Sequence, residues 1–190
     1  MLRITGGAWR GRKLLTLDGD ATRPSMDAHR ASLFNVLGQD LSGERVLDLF
    51  AGSGAFALEC LSRGAARAVL VETSPGALAV IRKNVAAATS VGGADRAEVV
   101  PGDCYALPPL RGPFDLIFVA PPYPHFRTDR ERVTALVASL AAGPAPLLAE
   151  DGLAIVQSDT GDFDPAGIPG VAPAGSRRWG RTDFTFLRRG

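Results

Sequence analysis

A glycine-containing turn at residues 51–54 (AGSG) follows an apolar segment that we predict to be a strand over Arg45–Phe50. Glycines let a backbone turn sharply and approach a ligand closely, because no Cβ stands in the way. With Ala57 the turn has the spacing Gly-x-Gly-x-x-Ala, and Glu72 lies 20 residues after Gly52. That spacing suits a dinucleotide, whose ribose is bound by such an acid, so NAD is one candidate ligand.

Three acidic residues, one at the end of each of three consecutive predicted strands, favour a different ligand. Asp48 lies four residues before Gly52, where a carboxylate would repel a pyrophosphate. S-adenosylmethionine has no phosphate and carries a sulfonium and an ammonium, which Asp48 would attract. Asp103 follows the third strand and can accept from an adenine amine at the sheet edge where ligands bind. Any one acid could be a helix cap, but Asp48, Glu72 and Asp103 together favour the methyl donor.

A second candidate site follows the fourth predicted strand, Phe114–Val119. Because proline cannot continue a central strand, that strand is ended by the motif Ala120, Pro121, Pro122 and Tyr123. A strand-ending turn explains the two prolines. It does not explain an exposed tyrosine at the carboxyl edge beside the inferred donor, so this motif is the candidate acceptor site.

Apolar segments alternate with helical ones from residue 45 onward and predict an α/β fold. The predicted strands are Arg45–Phe50, Ala68–Glu72, Ala97–Pro101, Phe114–Val119 and Leu153–Gln157. The predicted helices are Gly54–Arg63, Pro75–Ala88 and Arg130–Ala142. Strands spaced by helices pair in parallel with both sheet faces covered. We therefore expect a mostly parallel, seven-stranded, Rossmann-like sheet with helices on both faces.

The two ends of the chain depart from this alternation. Arg3–Gly7 and Arg10–Leu17 alternate weakly around a glycine pair, which predicts an N-terminal basic hairpin or arm. Thr160–Gly175 holds three prolines and four glycines and is predicted to be a long exposed loop. Arg181–Arg188 alternates as a strand, and we expect it to close the sheet in a C-terminal antiparallel hairpin.

Length and composition are those of an ordinary globular protein, with 190 residues, 46% hydrophobic and 22% charged. We expect one domain, in which residues 1–40 form the basic arm and a substrate-side helix and residues 41–190 form the core. No apolar run approaches a membrane span, and residues 1–13 have no apolar h-region, so we expect neither a membrane span nor a secretory signal. Cys60 and Cys104 are too few for a disulfide framework, so a cytoplasmic protein is expected. His29 and His125 lack cysteine partners at metal-binding spacing, so no metal is expected.

Charge is distributed unevenly along the chain, although the net charge is only +1. Residues 1–30 and 176–190 together carry 11 basic and four acidic groups, a net of +7. Residues 31–175 carry ten basic and 16 acidic groups, a net of −6. A polyanion bound at one end would explain this division, and so would solvated arginines, so charge alone leaves both open.

The segment from Arg45 to Gln157 resembles the class I S-adenosylmethionine-dependent methyltransferases. In that class the glycine turn holds the methionine part of the donor. An acid after the second strand binds the ribose hydroxyls and an acid after the third contacts the adenine, and Glu72 and Asp103 match these two acids. The resemblance implies S-adenosylmethionine as cofactor, bound by Asp48, Phe50, Ala51, Gly52, Ser53, Gly54, Glu72, Thr73, Asp103 and Cys104.

The motif after the fourth strand resembles the (Asp/Asn)-Pro-Pro-(Tyr/Phe) motif of amino-methyltransferases, which methylate exocyclic nitrogens of nucleobases. An aromatic amine is a poor nucleophile because its lone pair is spread into the ring, and acceptors on its N–H groups assist its attack. The family uses the Asp or Asn side chain and the first proline carbonyl as acceptors, while the aromatic ring stacks on an unstacked base. The resemblance makes residues 120–123 the catalytic site. Ala120 departs from the motif, and loss of one preorganised acceptor typically costs about 10²–10³ in rate.

Nearly the whole chain, from residue 3 to about residue 188, resembles the bacterial 16S rRNA guanine-N2 methyltransferases of the RsmD type. The matching stretches include residues 3–7 (RITGG), 23–30 (RPSMDAHR), 61–65 (LSRGA) and 178–182 (RWGRT). The resemblance implies that the rRNA backbone is contacted by Arg10, Arg12 and Lys13, as the charge distribution independently favours. It also implies that the acceptor entrance is lined by Arg23, Asp27 and Arg30. Ala31 stands where that family usually has Glu.

The leading hypothesis is a monomeric enzyme that transfers a methyl group to the exocyclic N2 of a guanine in 16S rRNA. Its partner would be the small ribosomal subunit or an assembly intermediate, with no membrane involved. One alternative is a donor-binding rRNA or assembly factor whose catalysis is impaired by Ala120. Another is an amino-methyltransferase acting on DNA or another RNA, because the Pro-Pro-Tyr motif does not distinguish guanine, adenine and cytosine.

Overall fold

The structure, a computed structural model, describes residues 2–17, 24–90 and 92–190. The chain divides after Pro101 into two compact units, residues 1–101 and 102–190. The first unit contains α1 (Pro24–Leu37), β1 (Arg45–Leu49), α2 (Ala55–Ser62), β2 (Arg67–Glu72), α3 (Pro75–Ala88), a short 3₁₀ helix (Ala94–Arg96) and β3 (Ala97–Pro101). The second contains β4 (Phe114–Val119), α4 (His125–Thr128), α5 (Arg130–Ala141), β5 (Leu148–Asp159), β6 (Val171–Trp179) and β7 (Thr182–Arg189).

The described strands form a seven-stranded sheet in the order β3-β2-β1-β4-β5-β7-β6. β1 and β2, β2 and β3, and β4 and β5 pair in parallel, whereas β7 is antiparallel to both β5 and β6. The predicted α/β class, the mostly parallel sheet and the C-terminal antiparallel hairpin are therefore confirmed. The assignment of all 190 residues to one domain stays a prediction.

The first unit places the acidic residues through the register of its three strands. All residues of β2 from Ala68 to Glu72 are buried, as expected for a strand with neighbours on both sides. Asp48 on β1 is opposite Leu70, and Glu72 is opposite Pro101 at the carboxyl ends of β2 and β3.

The helix α3 begins where its sequence predicts. The Ser74 Oγ accepts a hydrogen bond from the Ala77 N–H (3.4 Å), and Pro75 occupies the first helical turn, which needs no N–H donor. Both ends of the predicted helix Pro75–Ala88 are confirmed.

The predicted loop Thr160–Gly175 is partly wrong, because Val171–Gly175 belong to β6. Pro173 and Gly175 are tolerated in this strand because β6 is at the edge of the sheet and has only β7 as a partner. Between Pro173 and Gly175 the register with β7 shifts, so an irregularity absorbs the residues that pair poorly. β5 is also longer than predicted, and begins at Leu148 rather than Leu153.

The N-terminal segment, residues 2–17, is a hairpin packed on the first unit. Arg3 and Lys13 form an antiparallel bridge, and Leu14 N–H donates to the Leu2 carbonyl (2.9 Å). Four apolar side chains of this hairpin are buried: Leu2, Ile4, Trp9 and Leu14. Gly7 has φ +73°, and a Cβ there would lie 1.9 Å from the Ser62 carbonyl oxygen, so only glycine allows this close approach to the end of α2.

Candidate active site

The turn that follows β1 has an unusual backbone. Phe50, which is not glycine, has φ +60°, and Gly52 and Gly54 have φ +57° and +75°. Positive φ at a bulky residue is uncommon and is found mainly where function requires it. At Gly54 a Cβ would also lie 3.0 Å from Leu70 Cδ2, so glycine is needed for α2 to start against β2.

Asp48 is buried beneath this turn, with 2% of its surface exposed. Its Oδ2 accepts a hydrogen bond from the Ala57 N–H in the first turn of α2 (3.2 Å). Burial raises the pKa of Asp48 to about 8; the Ala57 N–H opposes the rise and the Glu72 charge adds to it. The carboxyl is therefore mostly protonated at neutral pH, until a cation beside it favours the ionised form.

The Glu72 carboxylate joins the turn after β2 to the glycine turn after β1. Its Oε2 accepts from the Gly52 N–H (3.0 Å), and its Oε1 accepts from the N–H groups of Thr73 and Ser74 (both 2.9 Å). In a dinucleotide site the first glycine of the turn faces a pyrophosphate. Here that amide donates to a carboxylate instead, and this geometry disfavours the NAD interpretation.

Asn84 on α3 is a further part of this arrangement. It is 1% exposed, and its Nδ2 donates to the Ser53 carbonyl (2.8 Å) and the Leu15 carbonyl (3.0 Å). Its Oδ1 accepts from the Leu15 N–H (2.7 Å). One amide thus holds the glycine turn and the N-terminal hairpin together, and a lone Asn within a helix gave no indication of this role.

Asp103 and Cys104 open the second unit in a turn held by side chains that the sequence did not single out. Asp103 Oδ1 accepts from the Tyr105 N–H (2.9 Å), and Oδ2 lies 3.4 Å from the Arg132 guanidinium. That guanidinium stacks over the Tyr105 ring, 4.3 Å from its centroid. Cys104 is buried. Asp103 is therefore exposed on a turn that these contacts hold in place.

The Tyr105 hydroxyl links this turn to the segment after the Pro-Pro-Tyr motif. It lies 3.0 Å from Nδ1 of His125, the first residue of α4. Burial raises the pKa of Tyr105 to about 12, so the phenol remains protonated at neutral pH.

The motif itself lies between β4 and α4. Pro121 is buried and Ala120 and Tyr123 are half-buried, so the expectation of an exposed tyrosine is wrong. The reason is that the Tyr123 hydroxyl is hydrogen-bonded to Thr182 Oγ1 on β7 (3.1 Å) and to Gln157 Nε2 on β5 (3.2 Å). The ring is therefore held from two neighbouring strands.

The six residues expected to bind substrate differ in their exposure and in their hydrogen-bond partners. The side chains of Arg10 and Lys13 are exposed and make no hydrogen bond or ion pair within the described ranges. Arg12 instead donates to the Ala87 carbonyl (2.6 Å) and Ser90 Oγ (2.8 Å), at the end of α3. Arg23 and the side chain of Asp27 lie outside the described part of the chain.

Arg30 is drawn into a buried ionic cluster rather than standing free. Its guanidinium donates to the Arg3 carbonyl and lies 3.5 Å from Glu59, a fully buried carboxylate on α2. Glu59 also accepts from the Thr5 and Gly6 N–H groups (both 2.7 Å) and pairs with buried Arg63 (2.8 Å). This cluster binds the hairpin and α1 to α2, a structural role that charge and spacing did not reveal.

Over residues 2–17, 24–90 and 92–190, no three His, Cys, Asp or Glu side chains gather as a metal site. In the same ranges no helix is both long and apolar enough to cross a bilayer. Cys60 and Cys104 are free thiols, both buried.

A family model described as "Conserved hypothetical protein 95" matches residues 2–188. The chain belongs to that family. Its relatives include the ribosomal RNA small subunit methyltransferase D of Escherichia coli, 41% identical over 123 residues, which cover 64% of this chain and 60% of the relative. The protein of the same name from Haemophilus influenzae is 33% identical over 138 residues, which cover 71% and 70% of the two chains.

One solved structure is similar to this chain along almost its full length. The E. coli protein yhhF is 33% identical, has a TM-score of 0.76, and the match covers 99% of this chain and 97% of that one. The match to the curated E. coli relative is shorter and spans 60% of that relative's length. The resemblance to the RsmD-type methyltransferases and the Rossmann-like fold are confirmed.

Proposed function

We propose that the chain is an S-adenosylmethionine-dependent methyltransferase acting on the exocyclic N2 of a guanine in the 16S rRNA of the small ribosomal subunit. The observation that carries the proposal is the Glu72 carboxylate hydrogen-bonded to the Gly52 amide, near buried Asp48. The Glu72 carboxylate at the glycine turn favours a cationic ligand over a pyrophosphate, and a bound cation would also favour the ionised form of Asp48. The names of the relatives support rRNA of the small subunit as the substrate.

The residues of the glycine turn fit S-adenosylmethionine. Gly52 and Gly54 keep the backbone free of Cβ atoms, so a ligand can approach it closely. Asp48 would favour the sulfonium and ammonium, Glu72 would bind the ribose hydroxyls, and Asp103 would bind the adenine amine. The remaining residues proposed to contact the donor are Phe50, Ala51, Ser53, Thr73 and Cys104. When bound, the donor supplies a methyl group activated by positive sulfur.

The motif at residues 120–123 would receive the guanine. The base must leave its stack to reach this turn, so the substrate is a flipped base or a single-stranded loop. Tyr123 would stack on the base, and its ring is already held through its hydroxyl by Gln157 and Thr182. The Pro121 carbonyl would accept from one amine N–H and so assist the attack of the nitrogen.

The rRNA backbone would be bound by Arg10 and Lys13, whose exposed charges have no partner in the described residues. Arg12 contributes less, because its guanidinium is engaged at the end of α3. Phosphate contacts fix orientation and carry little sequence information, so recognition would depend on the assembling particle. We also propose that the protein acts as a cytoplasmic monomer.

The test is methyl transfer by the purified protein to 16S rRNA, to 30S subunits and to assembly intermediates, with labelled donor. We expect one N2-methylguanosine, which mass spectrometry should find missing from rRNA of a deletion strain. Donor binding without transfer to any of these substrates would contradict the proposal. Methyl transfer to DNA or another RNA alone would assign the site to a different amino-methyltransferase.

A second candidate, a donor-binding assembly factor without catalysis, is favoured by one observation. Ala120 has a methyl group where the reaction benefits from a hydrogen-bond acceptor, and such a loss typically costs about 10²–10³ in rate. Introducing Ala120→Asp tests this candidate. Turnover that appears only in the variant would support it, whereas turnover by the wild type would eliminate it.

A further inference from the structure

The pairing of β4 with β5 brings a second polar side chain to the acceptor motif. Val119, the last residue of β4, is in register with Val156 on β5. The next residues along these parallel strands are Ala120 and Gln157. Residues in register on parallel strands carry side chains on the same face, since side chains alternate identically along both strands. Gln157 is therefore the residue that continues β5 beside Ala120, the position that offers no side-chain acceptor.

The Gln157 amide is fixed by its amino end. Nε2 donates to the Tyr123 hydroxyl (3.2 Å), and that hydroxyl is bonded in turn to Thr182 Oγ1 (3.1 Å), on a threonine that is only 8% exposed. With Nε2 bound to Tyr123, the carbonyl oxygen Oε1 is the free end of the amide. It accepts no hydrogen bond from any residue within the described ranges.

We propose that Gln157 is a catalytic residue, whose Oε1 accepts a hydrogen bond from the exocyclic amine of the substrate base. This inference rests on the proposed function. Gln157 would supply, from the neighbouring strand, the side-chain acceptor that Ala120 lacks, and the Pro121 carbonyl would bind the second N–H.

The chemistry requires an acceptor rather than a base at this position. The amine lone pair forms the new N–C bond while the methyl–sulfur bond breaks and leaves its electron pair on sulfur. Positive charge develops on the nitrogen and polarises its N–H bonds toward their acceptors, so Oε1 stabilises the transition state more than the ground state. A neutral amide does not take the proton, which passes from the nitrogen to water.

The competing explanation is that Gln157 only positions Tyr123. Gln157→Leu removes both the acceptor and the bond to Tyr123, whereas Tyr123→Phe removes the bond and leaves Oε1 in place. Gln157→Glu retains an acceptor oxygen and can still accept a hydrogen bond from the Tyr123 hydroxyl. The double variant Gln157→Leu with Ala120→Asn restores an acceptor at the neighbouring position without restoring the bond to Tyr123.

The experiment measures kcat and donor Kd of these variants on the 16S rRNA substrate, with Tm as a check of folding. We expect Gln157→Leu to lower kcat about 100-fold with unchanged donor Kd, and Gln157→Glu to lose less than about tenfold. Adding Ala120→Asn to Gln157→Leu should raise kcat at least about tenfold. The same substitution in the wild type should raise kcat by a smaller factor.

Two results would overturn the inference while leaving the proposed function standing. One is an active wild type in which Gln157→Leu keeps kcat within threefold. The other is an equal loss in Gln157→Leu and Tyr123→Phe with no recovery by Ala120→Asn, which would reduce Gln157 to a positioning residue. A wild type that binds donor but methylates no small-subunit substrate would instead contradict the proposed function, and this inference with it.

Discussion

Replacement of Asp48 by asparagine should remove a pH dependence of stability that the buried carboxyl imposes on the chain. Asp48 is 2% exposed and accepts one hydrogen bond, from the Ala57 N–H. Burial is the main reason that its pKa rises from 3.8 to about 8. Asparagine has the same shape, keeps the acceptor oxygen and cannot ionise, so Asp48→Asn isolates the titration.

The magnitude follows from the size of the pKa shift. The rise from 3.8 to about 8, at about 1.4 kcal/mol for each pH unit, amounts to about 6 kcal/mol between the two protonation states. Because the folded-state pKa is the higher one, the folded chain holds a proton that the unfolded chain releases near pH 4. The resulting stabilisation is complete below about pH 4 and is lost as the pH rises through about 8. Relative to Asp48→Asn, the free energy of unfolding of the wild type should fall by about 3 kcal/mol from pH 5 to pH 7.

Urea unfolding of the two proteins at pH 5, 6 and 7, followed by circular dichroism, measures this difference. All other titrating groups are common to both proteins and cancel in the comparison. A difference in unfolding free energy that stays constant over these three pH values would refute the reasoning, because Asp48 would then bind the same number of protons in the folded and unfolded states.

The same shift predicts that donor binding is coupled to proton release. With a pKa of about 8, Asp48 is mostly protonated at pH 7, and a bound sulfonium favours its ionised form. Below pH 8 the donor affinity of the wild type should therefore rise by up to about tenfold per pH unit relative to Asp48→Asn. Calorimetry in buffers of different ionisation enthalpy measures the released proton, and the titration of the donor amine is common to both proteins.

Three further predictions follow from the remaining contacts. Glu59→Ala leaves Arg63 buried without its carboxylate partner, so the free energy of unfolding should fall by about 3–5 kcal/mol. Amide exchange should also rise across residues 2–17. Unchanged exchange there would mean that packing alone holds the hairpin. Gly54→Ala forces φ +75° on a residue with a Cβ, so urea unfolding should show that the free energy of unfolding falls by about 1–2 kcal/mol. An unchanged free energy of unfolding would mean that the turn relaxes to another conformation. Arg10→Ala should reduce the slope of log rRNA affinity against log salt concentration by about 1, and Arg12→Ala should reduce it by less. Equal slopes for the two variants would contradict the roles assigned to these arginines.

The parts of the fold that were predictable are those specified by local sequence. Ala97–Pro101 and Phe114–Val119 match the observed strands at both ends, because apolar runs are bounded by glycine and proline. Pro75–Ala88 matches because a capping serine and a proline define its start. The acids of the first unit were also predictable, since the carboxyl ends of neighbouring parallel strands lie at one edge.

The parts that were not predictable depend on contacts between segments far apart in sequence. The Tyr123 hydroxyl reaches Gln157 and Thr182, which are 34 and 59 residues away and are brought together only by the pairing of β5 with β7. Arg30 and Arg12 were expected to face RNA, and a surface arginine looks the same in sequence whether it is solvated or bound to a buried carboxylate or a helix end. The contacts of the packed hairpin distinguish a solvated arginine from one bound to a carboxylate or a helix end.

The residues proposed to bind the donor and those proposed to assist methyl transfer are held by different kinds of contact, and this bears on the expected effect of Ala120. The glycine turn is held by backbone amides bonded to Glu72 and by the backbone geometry at residues 50–54, all within residues 1–101. The contacts of the Tyr123 hydroxyl come from side chains on β5 and β7, within residues 102–190. The absence of the motif's Asp or Asn side chain at position 120 therefore leaves the contacts of the glycine turn intact and should lower kcat without weakening donor affinity. Any compensation must then come from side chains that contact the motif, and Gln157 offers both an acceptor oxygen and a hydrogen bond that anchors its amide.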